Sequence, residues 1–406
     1  SWNIKTSGPV LMGSMFSPTT AFNQDLNAWD VSSVTAMNNM FQNAVSFNQD
    51  LNSWNLASVT NMVNMFDNAS AFNGNISSWA FPNVTSFVSL LAGASSFNQD
   101  ISGWDTSGIT TMTSMFRNTY AFNQPIGTWD TSSVTKMNGM FFASGFNQNI
   151  NNWNVSLVDN MNYMFYNEVA FNQPLDNWDV SSVTDMSYMF RGTGSFNQDL
   201  SLWNTSNVNN MAGMFANSYA FNQDIGAWDV SQVTSMEAMF INARGFNNGG
   251  SSNINNWNTG NVTNMKEMFY HGGIGAAGSF NQPIGNWNTS NVTTMRGMFY
   301  YNTAFDQPIG GWDVSNVTDM NTMFYITIID QDLSNWNIGS IPPNSQNFNW
   351  LKRSNYGSPF STANYDAMLV AYEAQVPPVG LVWDIGDAKY TLGGEVEAAR
   401  TSLINT

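Results

Sequence analysis

The apolar positions along this chain fall into a pattern that returns every 24 or 25 residues between Phe22 and Phe246. One unit reads Phe22-Asn-Gln-Asp-Leu-Asn-Ala-Trp29-Asp-Val-Ser-Ser-Val34-Thr-Ala-Met37-Asn-Asn-Met40-Phe41-Gln-Asn-Ala44. Phe-Asn pairs open the units from Phe22 to Phe280, with variants at Phe305-Asp306 and Ile329-Asp330. Fourteen of the 16 Trp share the Trp29 column, and 24 of the 25 Met fall in the Met37 and Met40 columns. A period this short holds no core of its own. It suits one coil of a stack in which each unit is buried by its neighbours.

Within a unit, Met37, Met40, Phe41 and Ala44 are spaced i, i+3, i+4, i+7, which predicts a short helix. Thr35 and its column mates, with Asp159 and Asn209 as exceptions, read as its N-caps, since all three types offer a side-chain oxygen. Leu26 to Val31, with its Trp and β-branched residue, predicts a short strand. The expected fold is an α/β repeat solenoid of about thirteen coils over residues 1–348, with insertions near 249–254 and 271–278. The period breaks after 348. Residues 361–375 predict a helix capped by Ser361 or Thr362, with Pro377-Pro378-Val-Gly380 ending it. A second helix is expected at Glu395–Leu403, after Gly393-Gly394. Residues 349–406 are therefore read as a small helical C-terminal cap over the apolar end of the last coil. The chain enters mid-coil at Trp2-Asn3, which makes the first coil an expected place for self-association or a partner domain.

The repeated columns, Phe-Asn-Gln…Trp-Asp-Val-Ser…Val-Thr-x-Met-x-x-Met-Phe, resemble the BspA-type leucine-rich-repeat surface proteins over roughly residues 10–340. The tail from Tyr365-Asp-Ala-Met-Leu through Lys389-Tyr-Thr-Leu-Gly-Gly is similar to the tail that often ends those repeats. The resemblance implies a right-handed, leucine-rich-repeat-like solenoid on a bacterial surface or in a phage or virus particle. It implies attachment and host recognition, with no catalytic residues to carry over.

Composition narrows the chemistry further. Charged residues are 10% of the 406, and 11 Lys+Arg against 28 Asp+Glu leave a charge of −17. Nucleic acid and anionic membrane surfaces both need clustered cations, so neither is an expected partner. No apolar run approaches the ~20 residues of a membrane span, so membrane insertion is not expected. With no Cys and a single His, His271, there is no thiolate chemistry and no multi-histidine metal site within the chain. His271 itself reads as a surface residue in a glycine-rich loop.

Two acidic columns, Asp25 with its mates and Asp30 with its mates, are a conceivable Ca²⁺ site, because that ion takes six to eight oxygens. The Asp30 column alternates with Asn55, Asn154 and Asn204, so what it keeps is a carbonyl-type oxygen rather than a charge. The favoured reading is ladders of Asn, Asp and Gln that satisfy turn backbone, with no cofactor and Ca²⁺ as the alternative. The sequons at Asn261 and Asn291 follow from the repeat itself. No paired carboxylates stand out, so no enzyme is expected.

What the repeat leaves variable is the position after Met-Phe. Tyr270, Tyr300 and Tyr325 occupy it in consecutive coils, Tyr301 lies beside them, and Tyr166 shares the column further up. Tyr188 lies one turn earlier in its own coil, as does Tyr163. These tyrosines are the candidate ligand-binding strip, suited to stacking on a cell-surface glycan or anchoring a protein. The expected function is a non-enzymatic, surface-displayed recognition or adhesion module. A self-assembling stalk or filament subunit is the alternative.

Overall fold

A computed structural model describes residues 10–272, 277–342, 360–375 and 388–405. The chain divides into two compact units, Ser1–Gln198 and Asp199–Thr406. Tandem repeats run through both, and helix is confined, among the described residues, to two short 3-10 turns in one insertion and to the C-terminal segment.

Inside the first unit each repeat lies against the next through alternate backbone amides. Met37, Asn39, Phe41 and Asn43 donate their N–H groups to Asn61, Val63, Met65 and Asp67 carbonyls of the following repeat, at 2.8–2.9 Å. The amides between them turn inward on their own repeat: Met40 donates to Met37 O, Gln42 to Asn39 O and Ala44 to Phe41 O. Asn39 and Asn43 sit at φ 58° and 59°. A positive φ at the third residue of a four-residue turn marks a type II turn, which favours Asn and Gly. The Met-Phe stretch is thus a run of tight turns, and the expected helix is absent. A helix would consume every amide within its own repeat. Alternating turns free every second amide to join the next repeat, and they still point Met37, Met40, Phe41 and Ala44 inward. The second unit is built alike: Met236, Ala238, Phe240 and Asn242 donate to Asn264, Lys266, Met268 and Tyr270 carbonyls.

The strand, too, lies elsewhere than expected. β1 (Val10–Leu11) pairs in parallel with β2 (Val34–Ala36). Single parallel bridges continue that column through Ala36↔Asn61, Thr111↔Lys136 and, in the second unit, Ser235↔Asn264. The Leu26–Val31 segment forms turns instead, with Trp29 N–H donating to Leu26 O at 3.0 Å. The Thr column is not a set of helix caps. Thr60 donates both its N–H (2.9 Å) and its hydroxyl (3.1 Å) to Thr35 O, and Thr110 does the same to Thr85 O.

The core is a set of aromatic and methionine columns. Phe41 stacks on Phe66 at 5.4 Å and on Phe47, which opens the following unit, at 4.1 Å; Trp54 stacks on Trp79 at 6.5 Å. Met37, Met40 and their column mates are buried, apart from Met15 at the first described repeat, and they fill the gaps with a flexible apolar chain. Each buried indole has a partner: Trp54 Nε1 donates to Leu26 O at 2.9 Å, and Trp129 Nε1 to Ile101 O at 3.1 Å. The Asn and Asp columns run along the exposed side as ladders. Asn48 N–H donates to Asn23 Oδ1 (2.8 Å), Gln49 Nε2 to the same oxygen (2.9 Å), and Ser32 N–H to Asp30 Oδ1 (3.1 Å).

In the second unit the insertion near 249–254 is two 3-10 turns, Asn248–Gly250 and Ser252–Asn256. Buried Asn248 pins them: its Oδ1 accepts Ile225 N–H and its Nδ2 donates to Ser251 O, both at 2.9 Å. Half of the 271–278 insertion, residues 273–276, lies outside the described residues. α1 (Thr362–Glu373) starts at Ser361, whose hydroxyl accepts Asn364 N–H, and α2 (Gly394–Asn405) packs beside it. α1 takes up the acceptors that a further repeat would have used. Tyr372 OH donates to Leu333 O at 2.8 Å, in the role the Trp indole plays elsewhere. Gln375 Nε2 donates to Trp336 O, and Asn364 Nδ2 and Ser361 N–H reach Asp330.

Candidate functional site

The tyrosines gather into one cluster on each unit. In the second unit, Tyr270, Tyr300 and Tyr325 lie outside the Met and Phe columns and are half-buried, with Tyr300 and Tyr325 each standing between two positive-φ positions of the turn run. Their rings stack face to face: Tyr270 on Tyr300 at 4.5 Å and 13°, Tyr300 on Tyr325 at 4.7 Å and 14°. Tyr301 leans against Tyr300 at 5.1 Å and Tyr325 at 5.7 Å. Tyr301 also holds φ at 56°, an uncommon setting for a bulky side chain, at the position Asn43 and Asn242 occupy in other repeats.

The stacking changes what this surface offers. An open flat strip for sugar rings is expected from spacing alone, but Tyr300 has both faces covered by its neighbours. What remains available is a row of ring edges and hydroxyls. Among the described residues the hydroxyls of Tyr270, Tyr300 and Tyr325 have no hydrogen-bond partner. Burial first, then the neighbouring phenols, pushes the Tyr300 phenol up to about 12. Burial and Glu267 push Tyr270 in the same direction. Tyr270 and Tyr300 therefore stay protonated, and each of those two hydroxyls can donate as well as accept.

In the first unit, Tyr166 stacks on Phe142 at 4.4 Å and Tyr188 on Tyr163 at 4.9 Å. The Arg191 guanidinium lies over both, 5.6 Å from the Tyr166 ring and 5.7 Å from the Tyr188 ring. Spacing named the two tyrosines but not the cation that joins them. Arg191 follows Met-Phe in its own repeat, which puts it one rung from Tyr166, and that adjacency was the available signal.

His271 is buried, contrary to the expected surface position. It stands where Asn43 and Asn242 stand in other repeats, its N–H donates to Tyr300 O, and Gly278 packs on its ring. Burial, with Arg244 nearby, holds the imidazole down to about 4, so it is neutral at ordinary pH. The sequon amides are engaged in the ladder: Asn261 Nδ2 donates to Ser231 O and Asn291 Nδ2 to Gly260 O. Among the described residues there is no group of three or more metal-ligating side chains, and no helix is long and apolar enough to cross a membrane. The open coil expected at Trp2-Asn3 lies outside the described residues.

A feature that spacing did not reveal as a site lies between residues 144 and 168. The step from Phe122 to Phe146 is one residue short, so a single Gly145 joins Ser144 to Phe146 where the repeats on either side have two residues. Gly145 holds φ at 87°, and a Cβ there would fall 2.3 Å from Tyr120 O. Fully buried Glu168 reaches back from the next repeat and accepts the Ser144 and Gly145 N–H groups. Its column carries Ala, Ser or Thr in the flanking repeats, from Ala94 to Ser218.

These features define a class: a tandem-repeat protein whose units join by alternate backbone amides and polar side-chain ladders, with aromatic clusters at its variable positions. The chain belongs to the family described as "Mycoplasma protein of unknown function, DUF285", whose model matches residues 1–104, 85–199, 167–271 and 249–358. No curated protein matches the chain.

Proposed function

We propose that this chain is a non-enzymatic recognition module of the BspA-like kind, a repeat solenoid displayed on a cell or virion surface. It attaches to a cell-surface glycan or protein through its tyrosine clusters. The observation that carries the reading is the stacked Tyr270–Tyr300–Tyr325 row, at variable positions of an otherwise repetitive scaffold, with hydroxyls that have no partner among the described residues. Because the ring faces are spent on one another, the row favours a protein partner, met by edges and hydrogen bonds, over a stacked sugar. Tyrosine supplies large contact area at low entropic cost, which is why it anchors protein interfaces. The −17 charge favours a neutral or basic partner.

The filament alternative is weakened by α1. Head-to-tail growth would need the acceptors at Leu333, Trp336 and Asp330, and α1 with its flanking residues already engages all three. The test replaces Tyr270, Tyr300 and Tyr325 together by Phe, which keeps the stack and removes the hydroxyls. Attachment to host cells should fall at least tenfold with the melting temperature unchanged. Attachment that is undiminished removes this row from the binding surface.

A further inference from the structure

One repeat departs from its columns in a way that stacking does not require. Ala80 stands where every other repeat from Asp30 to Asn337 carries Asp or Asn. Those side chains accept the N–H two residues on, as Asp105 accepts Ser107 N–H at 3.1 Å. Two residues after Ala80 comes Pro82, which has no N–H to give, so acceptor and donor are lost together.

The next repeat then drops two bridging side chains. Where Gly103 stands, Ser78 one repeat earlier donates to Asn52 O at 2.8 Å. Where Gly108 stands, Asn83 donates to Ala57 O at 2.7 Å and Ser133 to Ser107 O at 2.8 Å. The acceptors facing the two glycines, Ser77 O and Pro82 O, are left unbridged. Neither glycine is demanded by the backbone. A Cβ on Gly103 would meet nothing within 4 Å, and one on Gly108 only Val84 O at 3.9 Å.

The missing side chains leave a cavity of about 460 Å³, lined by Trp79, Phe81, Pro82, Ser77, Ser78 and Asp105 among others. That volume lies within the usual range of small-ligand pockets, about 300–1,000 Å³. Its polar groups include three acceptors, two backbone carbonyls and the Asp105 carboxylate, and the lining also carries the Gly103 and Gly108 amides and the Ser77 hydroxyl as donors. The Ser107 hydroxyl, 2.7 Å from Asp105 Oδ1, and the Ser107 amide hold that carboxyl below its usual range, so it is ionised. An anion is repelled here, and a purely apolar ligand would leave the acceptors facing nothing. A molecule with several hydroxyl donors and one apolar ring face satisfies both halves of the lining.

We propose that this cavity binds one neutral saccharide unit, with its hydroxyls donating to Ser77 O, Pro82 O and Asp105 and its apolar face against the Trp79–Pro82 segment. The site uses different columns of the repeat from the tyrosines, so it stands or falls apart from the attachment reading above. The test is saturation-transfer NMR with the methyl glycosides of glucose, galactose, mannose and N-acetylglucosamine. At least one should bind with a Kd of about 1 mM or tighter, typical of a single small ring. Gly108→Asn and Gly103→Ser, which restore side chains already used in these columns, should each weaken binding at least tenfold without changing the melting temperature. Asp105→Asn keeps the turn and should also weaken it, while Tyr300→Phe should not affect it. Failure of all four glycosides to bind, or undiminished binding by Gly108→Asn, overturns the proposal.

Discussion

Glu168 offers the sharpest physical test of how the stack accommodates an irregular repeat. Its carboxyl is fully buried, and that burial outweighs the Ser144, Gly145 and Phe146 amides and the Ser144 hydroxyl, which pull the other way. The outcome is a carboxyl pushed up from 4.5 to about 7. A raised value means that the folded state holds the proton more tightly than the unfolded chain. The contribution to stability is therefore complete below pH 4.5 and is lost as pH rises through about 7. At about 1.4 kcal/mol for each unit of pKa, the loss amounts to about 3 kcal/mol. Carboxyl ¹³C shifts of labelled protein should show one glutamate titrating near 7. Hydrogen exchange of the Ser144–Phe146 amides should quicken between pH 5 and pH 8, after correction for intrinsic exchange. In Glu168→Gln the local opening free energy should be flat across that range, and the difference between the two proteins isolates the one carboxyl. If Glu168 titrates near or below 4.5, the four donors dominate and the argument from burial is wrong.

Other consequences follow from the same contacts. Tyr372→Phe removes the donor to Leu333 O in a fully buried place. It should loosen α1 by about 1–3 kcal/mol, read as faster proteolysis of the C-terminal segment. Asn118 holds φ at 58°. Asn118→Gly should be near neutral and Asn118→Val should cost about 1–2 kcal/mol by thermal melting; a helix would instead penalise Gly. Asn98 accepts Asn123 N–H at 3.1 Å and Gln124 Nε2 at 3.0 Å, but on the exposed side. Asn98→Ala should therefore cost only about 0.5–1.5 kcal/mol in a denaturant titration, below the penalty of a buried orphan.

Much of this architecture is legible in the residues, because stacking demands the same side chain at the same place. The Phe, Trp and Met columns are the core for that reason, and the Asn ladder carries amide and carbonyl groups at every rung. The local conformation was misread at Met37–Ala44 for a definite cause. Two type II turns in series bring i, i+3, i+4 and i+7 to one side just as a helical turn does, so apolar spacing alone does not distinguish them. The discriminating signal was polar. Asn43, Asn68, Gly93, Asn118, Asn167, Gly192, Asn217 and Asn242 share one column. Asn and Gly alternating at a fixed place call for positive φ, which a helix interior does not contain. The tyrosine clusters were visible as identities but not as geometry. Spacing put Tyr270, Tyr300 and Tyr325 in a row, yet whether rings about 4.6 Å apart offer faces or edges depends on rotamers that the sequence does not record. Departures are the complement of columns. Ala80, Gly108, Gly145 and Glu168 each break a column, and each marks a place where the stack either opens a cavity or repairs a missing residue. In a repeat protein the columns report what folding requires. The breaks are therefore where a requirement other than folding is to be sought, and the Glu168 and Gly108 experiments separate the two cases: one break mends the stack, the other leaves it open.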